Sequence, residues 1–199
     1  MSGLVQALER IIADLSSTDR RWALVGGLAV SVRSEPRTTR DVDVAIAVSN
    51  DEEAEGILRE LVRQGYRSLG GVEQTDTGRL ATMRLVPPEG GPLGAVVDLL
   101  FATSGIEPDI CASADSLEVL EGVVAPVARI GHLIAMKLLS RDDDQRPQDI
   151  IDLHALIGVA GDDDIQLATE AVHEIEGRGF ARGRDLKAAL QNAIGRFRR

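Results

Sequence analysis

The chain is short of cysteine, histidine, aromatic residues and net positive charge, and each scarcity narrows what it can be. Cys111 is the one cysteine, so no disulfide forms within the chain, as expected for a reducing cytoplasm. Joined only by the scattered His132, His154 and His173, it is too little for a structural zinc site. Aromatic residues make up 3% of the 199, so the core must be aliphatic, filled by Leu, Val, Ile and Ala. No apolar run reaches the roughly 18 residues of a membrane span. The N-terminal MSGLVQALERIIADL is interrupted by Glu9, Arg10 and Asp14 and does not read as a signal peptide. A soluble cytoplasmic protein with no membrane partner is expected.

The formal net charge of −10 argues, on its face, against binding nucleic acid. It is unevenly spread, however. Between Arg178 and Arg199 lie seven basic residues (Arg178, Arg182, Arg184, Lys187, Arg196, Arg198, Arg199) against one acid, Asp185. The acidic excess is concentrated in part in the triplets Asp142 to Asp144 and Asp162 to Asp164. With 44% hydrophobic and 27% charged residues, the composition is that of an ordinary globular protein of one domain, or one domain with a helical appendage.

Apolar positions Leu4, Leu8, Ile11, Ile12 and Leu15 share one face of a helix over 3–15. WALV at 22–25 is a short strand running into a tight Gly26-Gly27 turn, followed by a short helix over 28–33 and a loop over 34–40. Asp41 to Val48 is a buried strand beginning with carboxylates, and Asn50 or Asp51 caps a helix reaching about Gln64. Strands are expected at 66–69, 79–86 and 95–101, with turn material at 87–92. Helical periodicity then takes over at 129–140, 147–157, 165–176 and 183–194. The expected fold is α/β (α+β): a mixed-sheet core over 1–125, then a helical bundle over 126–199 that completes a cleft.

The chemistry is carried by Asp41-Val-Asp43 and by Gly26-Gly27. Residues two apart on a strand point to the same face, so Asp41 and Asp43 project together. Two ionised carboxylates side by side on an apolar strand are costly unless a cation lies between them. Mg²⁺ suits such a site because it takes carboxylate oxygens and substrate phosphates together, and Mn²⁺ can substitute. Asp98 is the one acid in the apolar run Ala95 to Phe101, and a neighbouring strand can bring it to the same cation. Glycines after a strand admit a phosphate close to the backbone and present N–H groups from the following helix. Ordinary readings exist for each piece. A Gly-Gly is commonly only a turn, Asp-Val-Asp a solvated edge, and Asp98 a partner for the backbone or an arginine. The order of the pieces along the chain favours the catalytic reading.

That order resembles the polymerase-β-type nucleotidyltransferase superfamily: Gly-Gly or Gly-Ser, a spacer, Asp-x-Asp, and a third Asp later. More narrowly it is similar to the AbiEii/MenT-like nucleotidyltransferase toxins of toxin–antitoxin systems. Their first motif stands here as Gly26-Gly27-Leu-Ala-Val and Arg37-x-Thr39-x-Asp41-x-Asp43, and their later one as Lys137 and Arg146-x-x-Asp149-x-x-Asp152-Leu. The resemblance implies Mg²⁺ on Asp41, Asp43 and Asp98, with Asp98 serving alternatively to activate the attacking hydroxyl. It implies an NTP held by Gly26, Gly27, Arg37, Thr39, Lys137 and Asp152, with Asp149 orienting Lys137. Spacing alone puts Lys137 and Arg141 on one helix face as a cationic wall, and Asp149 with Asp152 on another.

The resemblance thus implies NMP transfer from an NTP (ATP among the candidates) to RNA. The 3′ end of tRNA is the expected acceptor, translation is inhibited, and a cognate antitoxin protein is the counterpart. The alternatives are a small-molecule nucleotidyltransferase of the antibiotic-modifying kind, or a non-catalytic binding partner. For an RNA acceptor, the basic C-terminal segment is the expected grip.

Overall fold

A computed structural model describes residues 3–75, 77–88, 94–141 and 147–198. The Asp142 to Asp144 triplet, Arg146 and Arg199 lie outside the described residues.

Helix α1 (Gly3–Ser16) buries Ala7, Leu8, Ile11 and Leu15, the face that the apolar spacing predicts. It is followed by β1 (Trp22–Leu24), α2 (Gly26–Arg33), β2 (Asp41–Ile46) and α3 (Asp51–Arg63). Asn50 caps α3, its side chain accepting from the Glu53 N–H at 3.0 Å while Glu53 accepts from the Ser49 N–H at 2.9 Å. The first of these bonds satisfies a donor that a helix start would otherwise leave open, and the second ties down the residue ahead of the cap. Strands β3 (Arg67–Glu73), β4 (Leu80–Val86) and β5 (Val96–Leu100) follow. Residues 102–128, to which the sequence reading assigns no element, hold α4 (Glu107–Ser113), β6 (Asp115–Leu120) and β7 (Val123–Val127). Four helices close the chain: α5 (Ile130–Ser140), α6 (Pro147–Val159), α7 (Asp162–Gly177) and α8 (Leu186–Phe197).

The strands form one mixed sheet in the order β3-β4-β5-β2-β1-β7-β6. β2 is parallel to β5 and antiparallel to β1, while β4 is antiparallel to β5. β7 lies parallel beside β1, with Leu24 opposite Val127. The central strands carry the core: Val42, Val44, Val97, Leu99 and Val127 are fully buried. β3, at one edge of the sheet, is exposed along its whole length.

The core is aliphatic, as the scarcity of aromatics requires, with Trp22, Tyr66, Phe101 and Phe180 as its buried aromatic members. α5 is buried on nearly all sides, since the sheet-side helix α2 and the helices α6, α7 and α8 all pack against it. It ends at Ser140, with Arg141 as its C-cap residue. Among the described residues no helix is long and apolar enough to cross a membrane.

Candidate active site

Asp41 and Asp43 occupy alternate positions of β2, with the fully buried Val42 between them pointing the other way. The parallel register sets Asp43 directly beside Asp98 and Asp41 beside Val96. Three carboxylates from two adjacent strands therefore stand on one face of the sheet, as strand pleating demands.

The two glycines are required by what approaches them. α2 begins at Gly26 itself, so the pair forms the first turn of the helix and not a turn ahead of it. Gly26 has φ +60°, and a Cβ there would lie 1.9 Å from Asp43 Oδ2. A Cβ on Gly27 would lie 2.6 Å from Arg37 Nη2 and 2.8 Å from Thr39 Oγ1. The Gly27 amide lies on the side of the Asp43 carboxylate and favours its charged form. The start of α2 thus faces that carboxylate, where its unpaired amides favour negative charge. Even so, Asp43 is raised from 3.8 to about 6, first by burial and then by Asp98, with Lys137 acting in the opposite sense. The site is short of positive charge.

Arg84 was not singled out by sequence reasoning. It lies on β4 opposite Asp98. Its Nε donates to Asp98 Oδ1 at 2.8 Å and its Nη2 to Oδ2 at 2.6 Å, a two-toothed grip. The same Nη2 is 3.7 Å from Asp41 Oδ2. Asp98 thus reaches the carboxylate face and also takes the arginine partner that the ordinary reading allowed. The available signal was a lone arginine in the strand Leu80-Ala-Thr-Met-Arg-Leu-Val86.

The second motif builds a buried network. Lys137 Nζ lies 2.8 Å from Asp149 Oδ1 and 2.8 Å from Asp152 Oδ2. Ser140 Oγ adds a hydrogen bond to Asp149 Oδ2 at 3.0 Å. Arg37 Nη2 donates to Asp152 Oδ2 at 2.9 Å, pinning the loop before β2 onto α6. Two cations and two acids compensate one another, as buried charges must. Lys137 therefore borders the cleft with its charge already shared between two carboxylates.

These pieces line a cleft of about 760 Å³ that includes Gly26, Gly27, Asp41, Asp43, Asp98, Lys137 and Asp149. A second cavity of about 890 Å³ runs along β3. The two share Thr82, Arg84, Asp98, Thr103 and Arg182. Among the described residues no three His, Cys, Asp or Glu side chains are drawn together as a finished metal centre. The donor set is nevertheless oxygen-only and deficient in positive charge, which fits a hard divalent cation.

The basic C-terminal residues are mostly engaged with neighbours. Arg178 pairs with Asp109 at 2.6 Å and Glu174 at 3.0 Å, Lys187 with Glu176 at 3.6 Å, and Arg198 with Asp162. Arg184 donates to the Arg141 carbonyl, and Arg196 lies over the Phe197 ring. Arg182, which donates to the Thr103 carbonyl at 2.9 Å, is the described member of the segment that lines the cleft. Of the histidines, His132 is buried in α5 and lowered to about 4 by burial, while the His154 ring meets that of Phe197 at a tilt of 60° with centroids 5.2 Å apart. Cys111 is buried, and burial followed by Glu107 pushes its thiol up to about 12, the state of an inert side chain.

The fold is similar to that of an antigenic nucleotidyltransferase-like protein from Paracoccidioides brasiliensis, with a TM-score of 0.55 and 19% identity over 95% of this chain and 92% of that one. Two more distant likenesses are the antibiotic-resistance factor ANT(2'')-Ia (TM-score 0.48, 18% identity, 97% of each chain) and MenT4, a nucleotidyltransferase toxin from Mycobacterium tuberculosis H37Rv (0.39, 15%, 99% of this chain and 92% of that one). No curated protein matches the sequence. The nucleotidyl transferase AbiEii toxin family, Type IV TA system, matches residues 6–198, almost the entire length, and to this family of nucleotidyltransferase enzymes the chain belongs.

Proposed function

We propose that the enzyme transfers a nucleoside monophosphate from an NTP to RNA, with the 3′ end of tRNA as acceptor, and so inhibits translation in the cytoplasm. A cognate antitoxin is then its counterpart in the cell. The observation that carries the reading is the convergence of Asp41, Asp43 and Asp98 on one sheet face against the first turn of α2.

The acceptor hydroxyl oxygen forms a bond to the α-phosphorus, the bond to the bridging oxygen of the β-phosphate breaks, and pyrophosphate departs. Asp41 and Asp43 are the ligands for Mg²⁺, with Mn²⁺ as substitute. When bound, the cation supplies neutralisation of the triphosphate and polarisation of the reacting oxygens. Asp98 joins them or takes the proton of the attacking hydroxyl. Gly26 and Gly27, which let the Asp43, Arg37 and Thr39 side chains crowd against the start of α2, hold the triphosphate together with Arg37 and Thr39. The network of Lys137, Asp149 and Asp152 holds the far wall, so that Lys137 and Arg37 face the nucleotide from a fixed position. We read residues 1–125, with the two further residues that complete β7 (Val123–Val127), as the catalytic core and the remainder to 199 as the helical region that closes the cleft over it.

The test is transfer of label from each of the four NTPs, with Mg²⁺, to bulk cellular RNA and to a panel of small hydroxyl compounds. RNA is expected to be labelled, and Asp41→Ala or Asp43→Ala to lower the rate by at least about 10³-fold, because in-line positioning of the triphosphate is lost. Labelling of a small hydroxyl compound in place of RNA would transfer the case to an antibiotic-type enzyme. Full activity in either alanine variant would remove the cation-site assignment.

A further inference from the structure

Arg84 stands where the cleft and the second cavity meet, and both are lined by it. Its side chain is 50% exposed, whereas that of Asp98 is 11% exposed and that of Asp41 42%. Asp98 is nearly buried on β5, an interior strand paired on both sides by β4 and β2. The arginine is the partner that can leave. Room for it exists on the β3 side: Gly70 lies opposite Arg84 in the ladder, and a Cβ built at Gly70 would have no atom within 4 Å. The guanidinium can swing toward this open position, into the cavity that Gly70 and Arg84 both line.

The pairing also has an electrostatic consequence. A guanidinium gripping both oxygens of Asp98 and lying 3.7 Å from Asp41 takes up the carboxylate oxygens through which these strands would hold a divalent cation. Like charges so close repel, so the arginine and the cation exclude one another.

We propose that Arg84 is a positioning residue that withholds Asp98 from the cation site in the substrate-free enzyme and releases it by swinging over Gly70 into the second cavity. The site is then two-carboxylate at rest and three-carboxylate only when filled. The inference rests on the reading of Asp41, Asp43 and Asp98 as cation ligands, but its test does not require turnover.

Mn²⁺ is titrated into the full chain without nucleotide, and free Mn²⁺ is followed by electron paramagnetic resonance in the wild type, Arg84→Met, Asp98→Asn and the double variant. Arg84→Met is expected to bind Mn²⁺ about tenfold more tightly than wild type, and this gain to shrink to about twofold when Asp98 is already Asn, as coupling between contacting charges requires. Arg84→Gln replaces Arg84→Met should the latter prove unstable in thermal melts. Affinities of wild type and Arg84→Met within about twofold of each other, absence of binding in both included, overturn the proposal, as does an equal gain in the Asp98→Asn background. Equal affinities in a protein that still labels RNA reject the latch and leave the proposed function standing. The expected gain in a protein that transfers nothing keeps the latch and removes the proposed function.

Discussion

Replacing Asp43 by Asn removes a charge that the metal-free fold holds at a loss. The Asp43 carboxyl is raised from 3.8 to about 6, chiefly by burial and then by Asp98. An acid whose folded value is raised holds its proton more tightly folded than unfolded. Stability therefore falls as pH rises from 3.8 toward 6, and the whole penalty stands above that window. A shift of this size, at about 1.4 kcal/mol per unit, corresponds to about 3 kcal/mol. Residual solvent around the partly buried carboxylate reduces the expected gain of Asp43→Asn to about 1–2 kcal/mol. Asn keeps an oxygen on the side of the Gly27 amide. For a chain of this size the gain appears as a rise in Tm of about 3–6 °C. The assay is thermal melting with a chelator present, at pH 8 and at pH 5. The variant is expected to melt higher at pH 8, and the gap to fall to about half at pH 5, where the wild-type carboxyl is largely protonated in the folded state. Nucleotide transfer by the same variant is expected to vanish. A gap that does not change with pH, or a variant less stable than wild type at pH 8, refutes the argument that Asp43 is held at a loss.

Three further outcomes follow from the geometry. Gly26→Ala would drive a methyl group to 1.9 Å from Asp43 Oδ2 at a φ of +60°. It is expected to cost about 1–3 kcal/mol in urea melts and to abolish transfer, because Asp43 must move to make room. Lys137→Met leaves Asp149 and Asp152 buried with one cation fewer, and is expected to destabilise by about 3–5 kcal/mol as well as to inactivate. Adding Asp149→Asn and Asp152→Asn is expected to recover most of that stability without recovering transfer, and loss of rate at full stability in Lys137→Met would contradict the network's structural part. Arg182→Glu is expected to raise the KM for RNA and lower the salt slope of binding by about one unit. Arg198→Glu, whose arginine is tied to Asp162 outside the cleft, is expected to change neither, and equal effects from the two would mean that the basic segment acts as a diffuse patch.

Signals that repeat over a few residues could be read without the fold. The two-residue period of Asp41-Val-Asp43 put both acids on one face whatever the partner strands were, and the apolar spacing from Leu4 to Leu15 marked the buried face of α1. Lys137 and Asp149 were legible through family resemblance at ordered positions. The pairing of Lys137 with Asp149 came with that resemblance, whereas the further partners did not, because each of those depends on long-range register. Arg84 meets Asp98 only because β4 pairs antiparallel with β5 in one particular alignment, and a one-residue slip would turn the arginine to the opposite face. Arg37 reaches Asp152 across 115 positions of sequence. Lys137 is shared by two acids only because α6 turns back against α5. The short β6 and β7 escaped notice since no residue of 115–120 is fully buried, yet β7 inserts between β1 and the edge strand β6. Local chemistry and periodicity were thus written in the chain, while strand order, register and helix docking decided which charges meet, because those choices are made by contacts between residues far apart in sequence.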